Sequence, residues 1–517
     1  ILLNEMRTPM LKKFSQTMLY LPHFLSWVII GGMVLQIFAP TSGVINSTLL
    51  RWGWISENIP FLTDGPTWTF TYVLVGVWQS MGWGTILYLA AITGLDMNLF
   101  EAARIDGANK LQQIWHVTLP GIRSTIVVLL IMNIGRMMSI GFDRPFIIGN
   151  TKVKDYCDVI STFVYRAGIT NSQFARATAI GLFQSVVGLV LITGANTVSR
   201  LSMNRVFGKR GGFVMTAIPT QAHICPEKKK KLGAGQIVLI IVMMLFVLIC
   251  TLPFINVIAM SMSSKSAILR GAVSFWPVEF NVDAYKLIVS DNSMWHSLLY
   301  TIELTVIYTV LAMVMTILVA FPLSMRRLKG QRVIMFFIVF TMYFSGGTIP
   351  IYLNVKEFGM LDSMWSLIIP GLISTFNVII LKNFFSSLPY ELVEAASIDG
   401  ATDFQVLTRI FLPLSFSSLA TLSLFYAVGK WNSFNDALYY ITSRDLQPLQ
   451  LKLYNLIKGS QSVEVAVAEG SSNDLSTSVS ESIQSATIIF ATLPILIVYP
   501  FVQRYFVAGV TMGAVKG

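Results

Sequence analysis

Apolar residues in this chain come in blocks about twenty long, set apart by short polar connections. A helix needs about 20 such residues to cross a hydrocarbon core, because each residue advances it by only about 1.5 Å. Its backbone groups must also be paired within the segment. The pattern predicts ten crossings, at roughly 18–38, 68–94, 124–142, 177–199, 236–262, 296–322, 333–353, 363–385, 414–434 and 484–506. The period-two alternation of an outer-membrane barrel is missing. The expected class is therefore an all-α membrane protein.

Two of the polar connections are copies of one another. EAARIDGANKLQQIWHVTLP occupies 101–120 and EAASIDGATDFQVLTRIFLP occupies 394–413, an ungapped offset of 293 residues. Ala and Glu favour a helix at the start of each copy, and Gly107 and Gly400 break it where the chain must turn. A second apolar-faced turn follows and stops at Pro120 or Pro413. Each copy predicts a helix-turn-helix elbow lying at the membrane surface.

Composition agrees with the pattern. The 517 residues are 54% hydrophobic and 12% charged, about half the charge of a soluble domain. The net charge of +11 reads as topology and not as nucleic-acid binding, since no basic helix or aromatic RNA platform accompanies it. Lys228–Lys231 directly precede the fifth block, which places that flank in the cytoplasm. By parity, both elbows then fall on the cytoplasmic side.

The offset divides the chain into halves, 1–212 and 236–517, joined by a seam at 213–235. The second half holds six expected spans and the first only four, so one or two further helices are expected upstream of Ile1. Met215 looks like the start of a fresh polypeptide. Two readings of the seam stand: two subunits written as one chain, or a natural fusion with a polar linker.

The pair EAARIDGA…TLP and EAASIDGA…FLP resembles the signature of the permease subunits of ABC importers. The closing run LPILIVYPFVQRYFVAGVTMGAVKG resembles their carbohydrate-uptake branch, the paired permeases for complex oligosaccharides. The resemblance implies two pseudo-symmetric polytopic bundles of the type I importer kind, each with a cytoplasmic coupling helix, in a bacterial cell membrane. It implies that Glu101, Ala102, Ala103, Asp106 and Gly107, with Glu394, Ala395, Ala396, Asp399 and Gly400, dock on two ATP-binding subunits. ATP and Mg would be used by those subunits, with no cofactor on this chain. An extracellular or periplasmic solute-binding protein would deliver the oligosaccharide.

Sugar sites need aromatic faces for the C–H side of a ring and amides or charges for hydroxyls. Candidates on the spans are Trp83, Asn133, Arg136, Tyr343, Asn377, Lys430, Trp431, Asn432 and Asn435. The same residues also fit plain helix packing and interhelical hydrogen bonding. Arg136 facing Lys430 across a pseudo-twofold axis would suit a uronide; a cation snorkelling to a helix end is the alternative.

Other classes lack parts. There is no GxxxxGK[ST] phosphate loop, His23, His116, His223 and His296 are scattered, and Cys157, Cys225 and Cys250 have no metal spacing. A sugar carrier driven by an ion gradient, whose halves also meet at a midplane site, is the alternative outside the ABC class. An ABC permease for amino acids or peptides is the alternative within it.

Overall fold

The computed structural model describes residues 1–40, 43–136, 140–207, 233–468 and 481–514. Every regular element among them is helical. Five helices are long and apolar enough to cross a membrane unbroken: Gly65–Thr93, Phe174–Ala195, Ala234–Ser261, Asn292–Ser324 and Glu481–Val498. Four further spans are helix pairs bent by 52° to 107° at a short break. The remaining expected crossing, 124–142, corresponds to the helix Arg123–Arg136. Most of the seam lies outside the described residues.

Four of the expected spans are therefore not continuous helices. The first span turns by 98° between Pro9–Phe24 and Trp27–Ile37. Ser26 sets the new start, its hydroxyl accepting from Ile29 N–H while donating to Gln450 Oε1 at 2.7 Å. The span expected at 333–353 ends at Tyr343 and continues as Thr348–Glu357 after a 107° turn. The span at 363–385 is broken by 52° between Met364–Gly371 and Thr375–Ser386, and Ser374 caps the new start, its hydroxyl accepting from Asn377 N–H.

The halves are wrapped into each other. Val28, Ile29 and Ile30 of the short helix Trp27–Ile37 are fully buried, and Gly32 of that helix lies beside Ile457 and Ile488 of the second half. Lipid is as apolar as these side chains, so close packing and hydrogen bonds hold the helix here more than water exclusion does. Ser485 Oγ donates to Gln36 Oε1 at 3.1 Å, a buried bond between the halves. One core cluster accordingly draws residues from both.

Both elbows fold to the same plan. Met97–Ile105 and Glu391–Ile398 are the leading helices. Each closes with two bonds that satisfy its last carbonyls: Gly107 N–H to Arg104 O and Ala108 N–H to Ala103 O in one, Gly400 N–H to Ser397 O and Ala401 N–H to Ala396 O in the other. This is the Schellman termination, which needs a left-handed residue, and Gly107 (φ +79°) and Gly400 (φ +74°) supply it. A capping box follows in each, Asn109 with Gln112 and Thr402 with Gln405. Ile122 and Ser415 then turn the chain into the next span.

Candidate functional site

Two broken spans, one from each half, meet at a cavity of about 520 Å³, within the usual range for small-molecule sites. Gly82 makes the approach possible: a Cβ there would lie 2.1 Å from Leu19 O, so the helix Gly65–Thr93 rests directly on the backbone ahead of the first break. Trp83 is thereby stacked on His23, ring centroids 4.4 Å apart. Phe425 stands edge-on to Trp83. Tyr308, Phe376 and Tyr426 complete the aromatic wall.

Broken helices expose backbone groups that lipid cannot satisfy, and such breaks persist only where protein or a cavity meets them. Here side chains do so. Asn432 Nδ2 donates to Phe24 O at 2.8 Å, joining the halves at the first break. At the second, Tyr308 OH donates to Gly371 O at 2.6 Å and Tyr426 OH accepts from Ser374 N–H at 3.2 Å. Lys430 Nζ donates to Leu367 O and, at 3.2 Å, to Asp436 Oδ2, with the Tyr308 ring 5.0 Å away. Ser433 Oγ also donates to Asp436 Oδ2, at 3.1 Å.

Four of the nine sugar candidates therefore line one cavity: Trp83, Asn377, Lys430 and Asn432. Four others lie elsewhere among the described residues. Trp431 is buried in the core, Asn435 lies beside the buried carboxyl of Asp143, Asn133 is exposed, and Tyr343 is part-exposed at a helix end. The Arg136 side chain lies outside the described residues, so its facing with Lys430 does too.

Several lining residues escaped the sequence reading. His23 and Phe24 come to the cavity only because the first span breaks beside them. Tyr308 and Tyr426 carry no distinguishing spacing, whereas Asp436 is Asp143 shifted by the 293-residue offset. Phe376 did carry a signal, for it is Trp83 shifted by the 293-residue offset, and both ring systems face the cavity.

Every elbow residue singled out in the sequence is exposed or half-exposed. Ile105 and Ile398, again 293 apart, are both 86% exposed. Leu111 and Phe404, a second such pair, are also exposed. Arg327 bonds Asp403 from the neighbouring connection, and Lys110 pairs with Glu5 at 2.7 Å. Among the described residues no cluster of His, Cys, Asp and Glu could hold a metal.

Comparison with known proteins agrees with this arrangement. The family described as "Binding-protein-dependent transport system inner membrane component" matches twice, over residues 6–206 and 303–512. The polygalacturonan/rhamnogalacturonan transport system permease protein YtcP of Bacillus subtilis (strain 168) is 42% identical over 275 residues, covering 53% of this chain and 96% of that protein. The permease protein YteP, named for the same kind of transport system in the same organism, is 41% identical over 211 residues, covering 41% of this chain and 64% of YteP. A crystal structure of a bacterial ABC transporter involved in the import of the acidic polysaccharide alginate includes a chain 34% identical to this one, with a TM-score of 0.48, covering 53% of this chain and 96% of that chain. With the family pattern present in both halves, around matched elbows and a shared cavity, this chain is a multi-pass membrane protein belonging to the binding-protein-dependent transport system inner membrane components.

Proposed function

We propose that the chain is the membrane-spanning path of an ATP-driven importer of oligosaccharides, acidic ones among them, in a bacterial plasma membrane. The observation that carries this is the matched pair of elbows, each offering an exposed apolar pair, Ile105 with Leu111 and Ile398 with Phe404, at the same register. Exposed apolar groups of this size are costly in water and mark contact surfaces. Two equivalent ones fit two copies of a single groove, as two ATP-binding subunits would present. ATP and Mg would be held by those subunits, with none bound by this chain.

In this reading, nucleotide-driven closure of the partners moves both elbows as levers, and the bundles rock between outward-facing and inward-facing states around the cavity. The solute-binding protein docks on the outer face and hands over its sugar. The relatives' names favour sugars over amino acids or peptides. A binding-protein-dependent family weighs against coupling to an ion gradient.

The proposal extends to the seam. YtcP and YteP are separate proteins and each matches about half of this chain, which supports two polypeptides meeting within 213–235. Intact-mass measurement separates the readings: one species near 57.5 kDa means a fusion. For the function, Ile105→Cys and Ile398→Cys should each cross-link to a co-purified ATP-binding subunit, and vesicle uptake should require ATP. Uptake driven by an ion gradient without that subunit would reject the proposal.

A further inference from the structure

This inference rests on the reading of the cavity as the sugar site, and follows from what its polar atoms have left to offer. Lys430 is the one Lys or Arg side chain among the described residues of the lining. An ammonium has three protons and no acceptor. Here they face Leu367 O, the Asp436 carboxylate and the Tyr308 ring, and only 5% of the Lys430 side chain is exposed. The positive charge is committed to the protein.

Asp436 is the opposite case. Its side chain is 45% exposed, and both bonds that it accepts, from Lys430 and Ser433, fall on Oδ2. Oδ1 accepts neither of them, and Asp436 is part of the cavity lining. Beside it the lining offers the Asn377 amide, the Ser374 hydroxyl and the rings of Trp83, Phe376 and Phe425.

A uronate carboxylate brings acceptors alone at neutral pH. Set against Asp436, it would put two like charges together where the dielectric is low. A sugar hydroxyl brings a proton, and a hydrogen bond to an ionised carboxylate is of the strong kind. We infer that this cavity reads the hydroxyls and C–H faces of a sugar unit, with Asp436 as the main hydroxyl acceptor, and does not read carboxylates. Acidic sugars pass with their carboxylates turned away from Asp436, and selection for acidity belongs to the delivery step outside.

The test is direct binding to the permease in lipid nanodiscs, without the delivery protein. Trigalacturonate and galactotriose, its carboxyl-reduced counterpart, are titrated separately, with saturation transfer to ring protons as the readout. Dissociation constants within about threefold of each other are expected, and Asp436→Asn should weaken both sugars alike, by about tenfold. The comparison on the unaltered protein stands even if that variant folds poorly. An acidic preference of about tenfold or more overturns the inference while leaving the cavity as the sugar site. So does an Asp436→Asn protein that binds the acid more tightly, or an acidic preference that Arg136→Gln removes. Binding of neither sugar overturns the site and the inference together.

Discussion

The left-handed turn in each elbow gives a test of whether backbone geometry or surface contact makes the lever work. Replacing Gly107 or Gly400 by Ala adds a Cβ that meets nothing within 4 Å in either turn. The whole penalty is therefore conformational. An L-residue held at φ +79° or +74° costs about 1–2 kcal/mol, and that energy opposes the two bonds that close each helix. Asn tolerates the left-handed region far better than Ala, so a Gly→Asn series adds bulk with little strain. Since 1.4 kcal/mol is tenfold in an equilibrium, each Ala should raise the fraction of opened turns by about five- to thirtyfold. No hydrogen bond or ion pair joins the two elbows among the described residues, so their penalties should add. Sugar imported per ATP hydrolysed, measured in proteoliposomes with delivery protein and ATP-binding subunits, should fall for either Ala variant and fall further for the pair. Asn should stay near the unaltered protein. Loss of coupling to the same degree with Asn and Ala would refute the backbone argument and leave a side-chain clash with the partner as the cause. Unchanged coupling in the double Ala variant would refute the lever itself.

Three further outcomes follow from packing and charge. Gly82→Ala sets a Cβ against Leu19 backbone, whereas at Gly76 the obstacle is the far end of Arg144. The first should lower thermal stability by about 1–3 kcal/mol and the second by much less, as seen in detergent melting curves; equal effects would contradict the close helix approach. Tyr426→Phe removes the hydroxyl that meets Thr316 Oγ1 at 2.6 Å and Ser374 N–H, so stability should drop by about 1–3 kcal/mol; hydrogen exchange at Ser374 should speed up, and an unchanged rate would argue that the second break is held otherwise. In the connection 262–282, hydrogen bonds from Ser264, Ser266 and Arg270 hold the Glu279 carboxyl below its ordinary 4.5. A carboxyl lowered on folding stabilises the fold above its unfolded value and loses that contribution as pH falls through the folded one. Exchange protection of the 262–282 loop should thus weaken on acidification below that ordinary value, and Glu279→Gln should remove this dependence; a variant with the same acid response would assign it to another group.

What the sequence determined is what backbone chemistry settles locally. A helix in lipid must satisfy its own N–H and C=O groups, so apolar block length alone located the spans. Nine of the expected ten appear as long helices or bent pairs, and the tenth has its counterpart in Arg123–Arg136. The elbows were legible for a similar reason. Gly107 and Gly400 fix a termination whose bonds run within six residues, and a repeat with one register must fold twice in the same way.

The tertiary structure decided where the spans break and what gathers there. A break is stable only when a distant group takes over the freed backbone, as Asn432 does for Phe24, 408 residues away. Hydropathy cannot register that exchange, because Leu25 and Ser26 lie inside an apolar run like any other. Nor could spacing show that Lys430 is neutralised by Asp436 instead of standing open to a substrate. Charge in a membrane is defined by its neighbours, and Leu367, Asp436 and Tyr308 reach Lys430 only when separate helices of the second half pack together.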